Sequence, residues 1–199
     1  MILVVNPSLP VKSVKELIAL ARARPGEINY GSGGVGTTPH LSGELMATMA
    51  RLKLVHVPYK GEAPGLIDVI AGHLPVMFCN VTACHGFVQA GRLRALAITG
   101  LKPSPVVPGM PTMSDSGLPG FEVVGFFGVL APAATPREVV ARLSAEINKV
   151  LGRPDVRERF ASQALDPGNT TPDQFAAYIR EAVNKWGKLI REAGITMKQ

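Results

Sequence analysis

The residues best placed to do chemistry lie in Tyr30-Gly31-Ser32-Gly33-Gly34-Val35-Gly36-Thr37-Thr38-Pro39-His40. Glycine accepts positive φ and lets a backbone approach a ligand closely. A helix opening at Thr38-Pro39 would add unpaired N–H groups and the positive end of a dipole. The hydroxyls of Ser32, Thr37 and Thr38 stand beside it. Together these groups make an anion site. The plain alternative is a flexible turn whose Thr38 only caps a helix, but four glycines in six residues exceed what a turn requires.

Two nucleotide readings compete for that anion. Gly31-x-Gly33-x-x-Gly36 has the spacing of a dinucleotide fingerprint, which would make the chain a nucleotide-dependent, Rossmann-like enzyme. The acid that should bind a ribose some 20 residues on is absent, because the next strand ends Val55-His56-Val57-Pro58. Gly31 and Gly36 also have phosphate-loop spacing, but Thr37 stands where that loop needs lysine. Both readings weaken on particular residues.

Other reactive side chains form weaker patterns. His73, Cys79, Cys84 and His85 fit no zinc spacing, and Cys79 in an apolar run reads as a buried thiol. No metal or other cofactor is called for. His40, in the first turn after the glycines, is equally suited to packing and to a ligand contact. Paired carboxylates are missing from every predicted strand end, which argues against an enzyme. Two strand ends should converge on the loop if the sheet is parallel, since ligands bind outside the carboxyl ends of strands. These carry Pro58-Tyr59-Lys60-Gly61 and Phe78-Cys79-Asn80. Tyr59 offers a flat wall with a hydroxyl, Asn80 offers a donor and an acceptor, and Lys60 offers either a countercharge or an ordinary surface cation.

The elements that must position these groups can be read from pattern. Residues 1–6 form a strand stopped by Pro7 and Pro10, and Ser13-x-x-Glu16 is a capping box opening a helix. Strands follow at Ile28–Tyr30, Leu54–Val57, Pro75–Cys79 and Leu93–Thr99, separated by helices beginning near Thr38, Ala63 and Thr82. That alternation predicts βαβ units and a largely parallel sheet. Lys102–Gly120 is an excursion rich in Pro, Gly and Ser, with at most a short helix near Thr112–Ser116, and Glu122–Ala131 reads as a strand. After Thr135 only helices remain. Thr135-Pro136-Arg137-Glu138 and Thr171-Pro172-Asp173-Gln174 are capping boxes with proline at the first helical position. Phe175, Tyr178, Ile179, Ala182, Val183, Trp186, Leu189 and Ile190 form an apolar stripe at helical spacing.

Composition sets the outer bounds. A 46% apolar, 18% charged chain of 199 residues can build a substantial core. The net charge of +6 is spread over the chain without a basic stripe that could track phosphates, and aromatics are too few for a base-stacking surface, so nucleic acid is not an expected partner. Two cysteines make no disulfide framework. No run approaches the roughly 20 apolar residues of a membrane helix. The start MILVVNPSLP lacks a basic leader and a small-residue cleavage site, so no signal peptide is read and the chain as written could stay cytoplasmic.

Several segments resemble the tripartite tricarboxylate transporter receptors, also called Bug-type solute receptors. They are Val4-Val5-Asn6-Pro7-Ser8, Asn29 to Gly36, His40-Leu41-Ser42-Gly43-Glu44, Val55 to Gly61, Gly117-Leu118-Pro119-Gly120, and Phe126-Phe127-Gly128 followed by Ala131-Pro132. The resemblance runs from Met1 to the end in family order. It implies an α/β, periplasmic-binding-protein type 2 (Venus flytrap) lobe with a mostly parallel sheet, plus C-terminal helices of an incomplete second lobe. Residues 1–125 would form the ligand-binding lobe, and residues 126–199 a hinge strand and helices that return to the other lobe. The implied function is a periplasmic, non-enzymatic receptor that captures a small di- or tricarboxylate or amino acid for a membrane permease.

By position, Ser32, Gly33, Gly34, Gly36, Thr37 and Thr38 would cradle the carboxylate. Tyr59 and Asn80 would be walls, and Phe127 would lie near the hinge. Three departures qualify the resemblance. The family's export signal and first-lobe ligand loop are not in this sequence. Met1 falls where the family chain crosses between lobes. Cys79 stands where the family leads one to expect an acid. A truncated receptor without binding activity is therefore a third reading, and self-association through uncovered C-terminal helices a further expectation.

Overall fold

The fold is given by a computed structural model that describes residues 1–104, 106–163 and 165–196. Five strands form one sheet: β1 (Ile2–Val5), β2 (Ile28–Ser32), β3 (Leu54–Pro58), β4 (Val76–Cys79) and β5 (Arg94–Ile98), in the order β3-β2-β4-β1-β5. β2 runs parallel to β3 and β4, while β1 is antiparallel to both β4 and β5. Four strands therefore share a direction and β1 opposes them. The all-apolar stretches Ile2–Val5 and Val76–Cys79 occupy interior positions and are buried on both faces, as continuous apolar runs require. β3 lies at an edge, with Val55 exposed and Pro58 ending it, where a missing N–H costs no ladder bond.

The helices α1 (Val14–Ala23), α2 (Thr38–Ala50), α3 (Glu62–Ala71) and α4 (Val81–Gln89) link these strands. α1 buries Val14, Leu17, Ile18 and Ala21, one face at helical spacing. Its start is fixed by Glu16 N–H donating to Ser13 Oγ at 3.2 Å, while the Glu16 carboxylate accepts from Lys12 N–H at 2.7 Å. Phe78 of β4 is fully buried, with its ring centroid 6.5 Å from that of Phe121. Burying such a side chain stabilises the fold by about 1.5–3 kcal/mol.

Glu122–Ala131 is not a strand. Val123 N–H donates to Thr99 O at 2.9 Å and Thr99 Oγ1 donates to Val123 O at 2.7 Å, but pairing ends there. A strand needs a neighbour to satisfy its backbone, and Phe127, Val129 and Leu130 stand 88%, 74% and 75% exposed. The remaining helices are α5 (Arg137–Leu151), α6 (Pro154–Ser162) and α7 (Pro172–Glu192). α7 opens with the reciprocal capping box expected of it: Gln174 N–H donates to Thr171 Oγ1 at 3.2 Å, and Thr171 N–H to Gln174 Oε1 at 2.9 Å. α5 begins one residue later than its sequence suggests. Pro136 is its cap, and Thr135 N–H instead closes a turn onto Pro132 O at 3.0 Å.

The chain divides into two compact units, Met1–Gly125 together with the chain from Leu189 on, and Phe126–Lys188. Among the described residues, no helix is long and apolar enough to cross a membrane.

Candidate functional site

The carboxyl ends of β3, β2 and β4 lie side by side because these three strands are neighbours running the same way. Ser32 pairs with Pro58 in the ladder, and the pairing continues past the strand ends. Tyr59 N–H donates to Ser32 O at 3.0 Å, and Gly61 N–H to Gly33 O at 3.1 Å. The glycine loop, the Tyr59–Gly61 turn and Asn80 thus share one edge of the sheet.

The loop is built as much by its neighbours as by its glycines. Gly34 and Gly36 have φ of +136° and +76°, which side chains rarely adopt. Gly36 N–H donates to His40 Nδ1 at 3.0 Å, and Thr37 Oγ1 donates to Gly34 O at 2.7 Å. Thr37, one residue earlier than expected, is the residue that caps α2, and with its side chain turned back into the loop it makes no cap bond. Ser32 is fully buried, with its Oγ 3.0 Å from Gly34 O, 3.1 Å from Gly34 N and 2.7 Å from His56 Nε2. These three contacts match the hydroxyl's one donor and two acceptor positions in number and leave it none for a ligand. Ser32 therefore shapes the loop from behind instead of facing outward.

An aromatic stack backs this arrangement. The ring of His56 lies 3.8 Å from that of His40 and 5.1 Å from that of Tyr30, at interplanar angles of 14° and 30°. Tyr30 O–H donates to Glu44 Oε1 at 2.5 Å, and His40 Nε2 stands 3.7 Å from the same oxygen. Gly43 lets α2 approach this ring, since a Cβ there would run into Tyr30. Because His40 Nδ1 accepts from Gly36, the neutral ring carries its proton on Nε2, towards Glu44. Burial lowers the pKa of His40, partly offset by Glu44. Burial and then the neighbouring His40 push that of His56 down to about 4. Burial and the Glu44 carboxylate push the Tyr30 hydroxyl up. Near neutral pH both imidazoles are uncharged and hold the loop through hydrogen bonds.

Tyr59 presents its ring as a strut. It packs where Cβ atoms on Gly31 and Gly65 would lie 3.6 and 3.1 Å away, and its hydroxyl donates to Asp68 Oδ2 at 2.7 Å. Burial and this bond raise the Tyr59 hydroxyl to about 12, while the bond itself is the main cause holding the Asp68 carboxyl below its ordinary value. Asn80 is exposed at the cap of α4, and Lys60 is exposed beside Gly61. Cys79 is fully buried, which pushes its thiol up, with Cys84 adding to the effect.

Three N–H groups at this edge, those of Gly33, Val35 and Thr38, have no hydrogen-bond partner among the described residues. With the amino end of α2 behind them, they present donors to an anion. Sequence reasoning quoted Tyr30, Glu44 and His56 only within motifs, with no role of their own, and passed over Glu62. His56 is tied to the loop by the parallel register Tyr30↔His56, which no local pattern reveals. Glu62 carried a usable signal, an acid in the first turn of a helix that follows a strand end.

The family profile described as tripartite tricarboxylate transporter family receptor matches residues 1–195. The "UPF0065 protein in tcbD-tcbE intergenic region" of Pseudomonas sp. (strain P51) is 38% identical over 199 residues, all of this chain and 59% of that protein. "Protein BugT" of Bordetella pertussis is 34% identical over 198 residues, again the whole chain and 61% of the relative. The solved structure "R. palustris Rpa4515 with adipate" superposes with a TM-score of 0.86 at 36% identity, covering 98% of this chain and 65% of that one. The chain thus spans about 60% of the length of these two curated relatives. With this fold, and with the matched sequence running from its first strand into its last helix, the chain belongs to the tripartite tricarboxylate transporter receptor family.

Proposed function

We propose that this chain supplies one wall of a cleft that captures a small organic carboxylate, as part of a periplasmic receptor serving a tripartite tricarboxylate-type permease. The observation that carries this reading is the row of unpartnered N–H groups on the glycine loop, set among three parallel strand ends. The cradle is Gly33, Gly34, Gly36, Thr37 and Thr38, with Ser32 holding its shape and Tyr59 and Asn80 flanking it. Residues 1–125 act as the gripping lobe, and residues 126–199 as the return to the other lobe. A carboxylate needs donors and no electrophile, so the site calls for no catalytic group. The adipate carried by the R. palustris relative is a ligand of this chemistry.

A nucleotide reading finds little support here. The loop meets histidines and backbone where a phosphate loop would bring lysine, and the acid that follows β3, Glu62, is already engaged by Asn80. Calorimetric titration separates the two. The chain should take up heat-detectable adipate or malate and ignore NAD and ATP, with the carboxylate signal reduced at least tenfold by Gly33→Val, which fills the approach to the loop. Nucleotide binding without carboxylate binding would overturn the reading.

A further inference from the structure

Two thiols that the carboxylate site does not use lie on either side of Asn80 in the chain. Cys79 ends β4, Cys84 lies in α4, and both are buried and in the free thiol form. Asn80 is the cap of α4, so Cys79 is the residue before the cap and Cys84 the fourth residue of the helix. Those are the two positions that a staple brings into side-chain contact at a helix start, and they are ordinarily filled by hydrophobic residues. Here sulfur meets sulfur: the two thiols are within hydrogen-bonding reach of one another.

Little holds the two S–H groups in place. Cys84 Sγ donates to Asn80 O at 3.2 Å, but that oxygen also accepts from Ala83 N–H at 3.1 Å and keeps a donor without the thiol. Cys79 Sγ stands 3.9 Å from Ile2 O, a long contact for a weak donor. Exchanging both S–H groups for a bond between the sulfurs therefore gives up little hydrogen bonding. It also closes a short ring of chain, whose ends the β4–α4 turn already holds together.

We infer that Cys79 and Cys84 form a redox modification site, a disulfide that closes across the start of α4 and pins the turn bearing Asn80. The oxidant is itself a disulfide, of the glutathione or thiol–disulfide oxidoreductase class. One cysteine, as thiolate, attacks it and forms a mixed disulfide with release of one thiol. The sulfur of the other cysteine then displaces the second thiol. Two electrons pass to the oxidant, both cysteine protons end on its two thiols, and one S–S bond replaces two S–H bonds. Burial shields both sulfurs, so in the folded chain attack waits on opening of the first turns of α4 and closure is slow. A periplasmic receptor, the role proposed above, meets oxidants of this kind, but the chemistry itself does not depend on carboxylate binding.

Equilibrating the whole chain with set mixtures of glutathione and glutathione disulfide, in buffer and in concentrated urea, measures this. The products are quenched with acid and read by intact mass and peptide mapping. The chain should lose two hydrogens, with Cys79 and Cys84 linked within one chain. The equilibrium constant for closure should be at least tenfold larger in buffer than in urea, because the fold brings the thiols together and the unfolded chain does not. An equal or smaller constant in buffer would overturn the inference. So would glutathione adducts in place of the internal bond, or bonds between two chains. Titrating adipate into the fully reduced chain tests the carboxylate reading separately, so either can fail while the other stands.

Discussion

The helices around the sheet and those after Phe126 carry the same kind of apolar stripe, but they use it differently. α1 buries Val14, Leu17, Ile18 and Ala21 within its own unit. α5 has no buried residue at all: Val139, Leu143 and Val150 of its stripe stand 41%, 51% and 49% exposed. Phe126–Lys188 holds a cluster of aromatic rings. The Phe126 ring meets those of Phe175 and Tyr178 edge-on, at 6.0 and 4.9 Å, and Gly128 leaves room for Phe175. Periodicity fixes which face of a helix is apolar, while burial depends on whether the chain also supplies something for that face to cover.

The contrast predicts unequal costs for the same kind of truncation. Phe78→Ala should lower stability by about 3–5 kcal/mol, because it empties a fully buried site. Leu143→Ala should change it by less than about 0.5 kcal/mol. Urea denaturation checks both through the midpoint at unchanged slope. A Leu143→Ala cost approaching that of Phe78→Ala would mean that the stripe of α5 is covered in solution.

A smaller effect concerns the loop's supports. His56 titrates at about 4 in the folded chain, against an ordinary histidine value of 6.5. The unfolded chain therefore takes up the proton first on acidification. The stability linked to His56 is complete above about pH 6.5 and is lost as the pH falls towards 4. His40, also lowered by burial, acts in the same direction. Melting temperatures measured from pH 7 to 4 should fall, and His56→Asn should show a shallower fall over that window. An unaltered slope in the variant would remove His56 from the account.

Much of the sheet unit was legible because its signals are local. The glycine run, the Ser13 and Thr171 caps and the apolar runs of β1 and β4 each specify a backbone state within a few residues. Strand direction is not written that way: Ile2–Val5 reads equally well as a parallel or an antiparallel strand, and only its place between β4 and β5 decides. Glu122–Ala131 has strand composition, yet beyond Val123 it finds no ladder partner, and composition cannot supply one. Ser32 and His40 were noticed as candidate contacts because of their chemistry. Their actual partners, His56 Nε2 and Gly36 N–H, depend on how β2 and β3 register and on how α2 starts, and both are long-range outcomes. Glu62 escaped notice because its partner, Asn80, lies 18 residues away across two strand ends.

On the proposed function, the loop-bearing edge of the sheet receives a carboxylate through its unpartnered N–H groups. Amide chemical shifts of the isotopically labelled chain, followed while adipate is added, test it most directly. The resonances of Gly33, Val35 and Thr38 should move together along one saturable curve, with those of α5 and α6 unmoved. Saturable shifts confined to another part of the chain, or none at this edge, would contradict it.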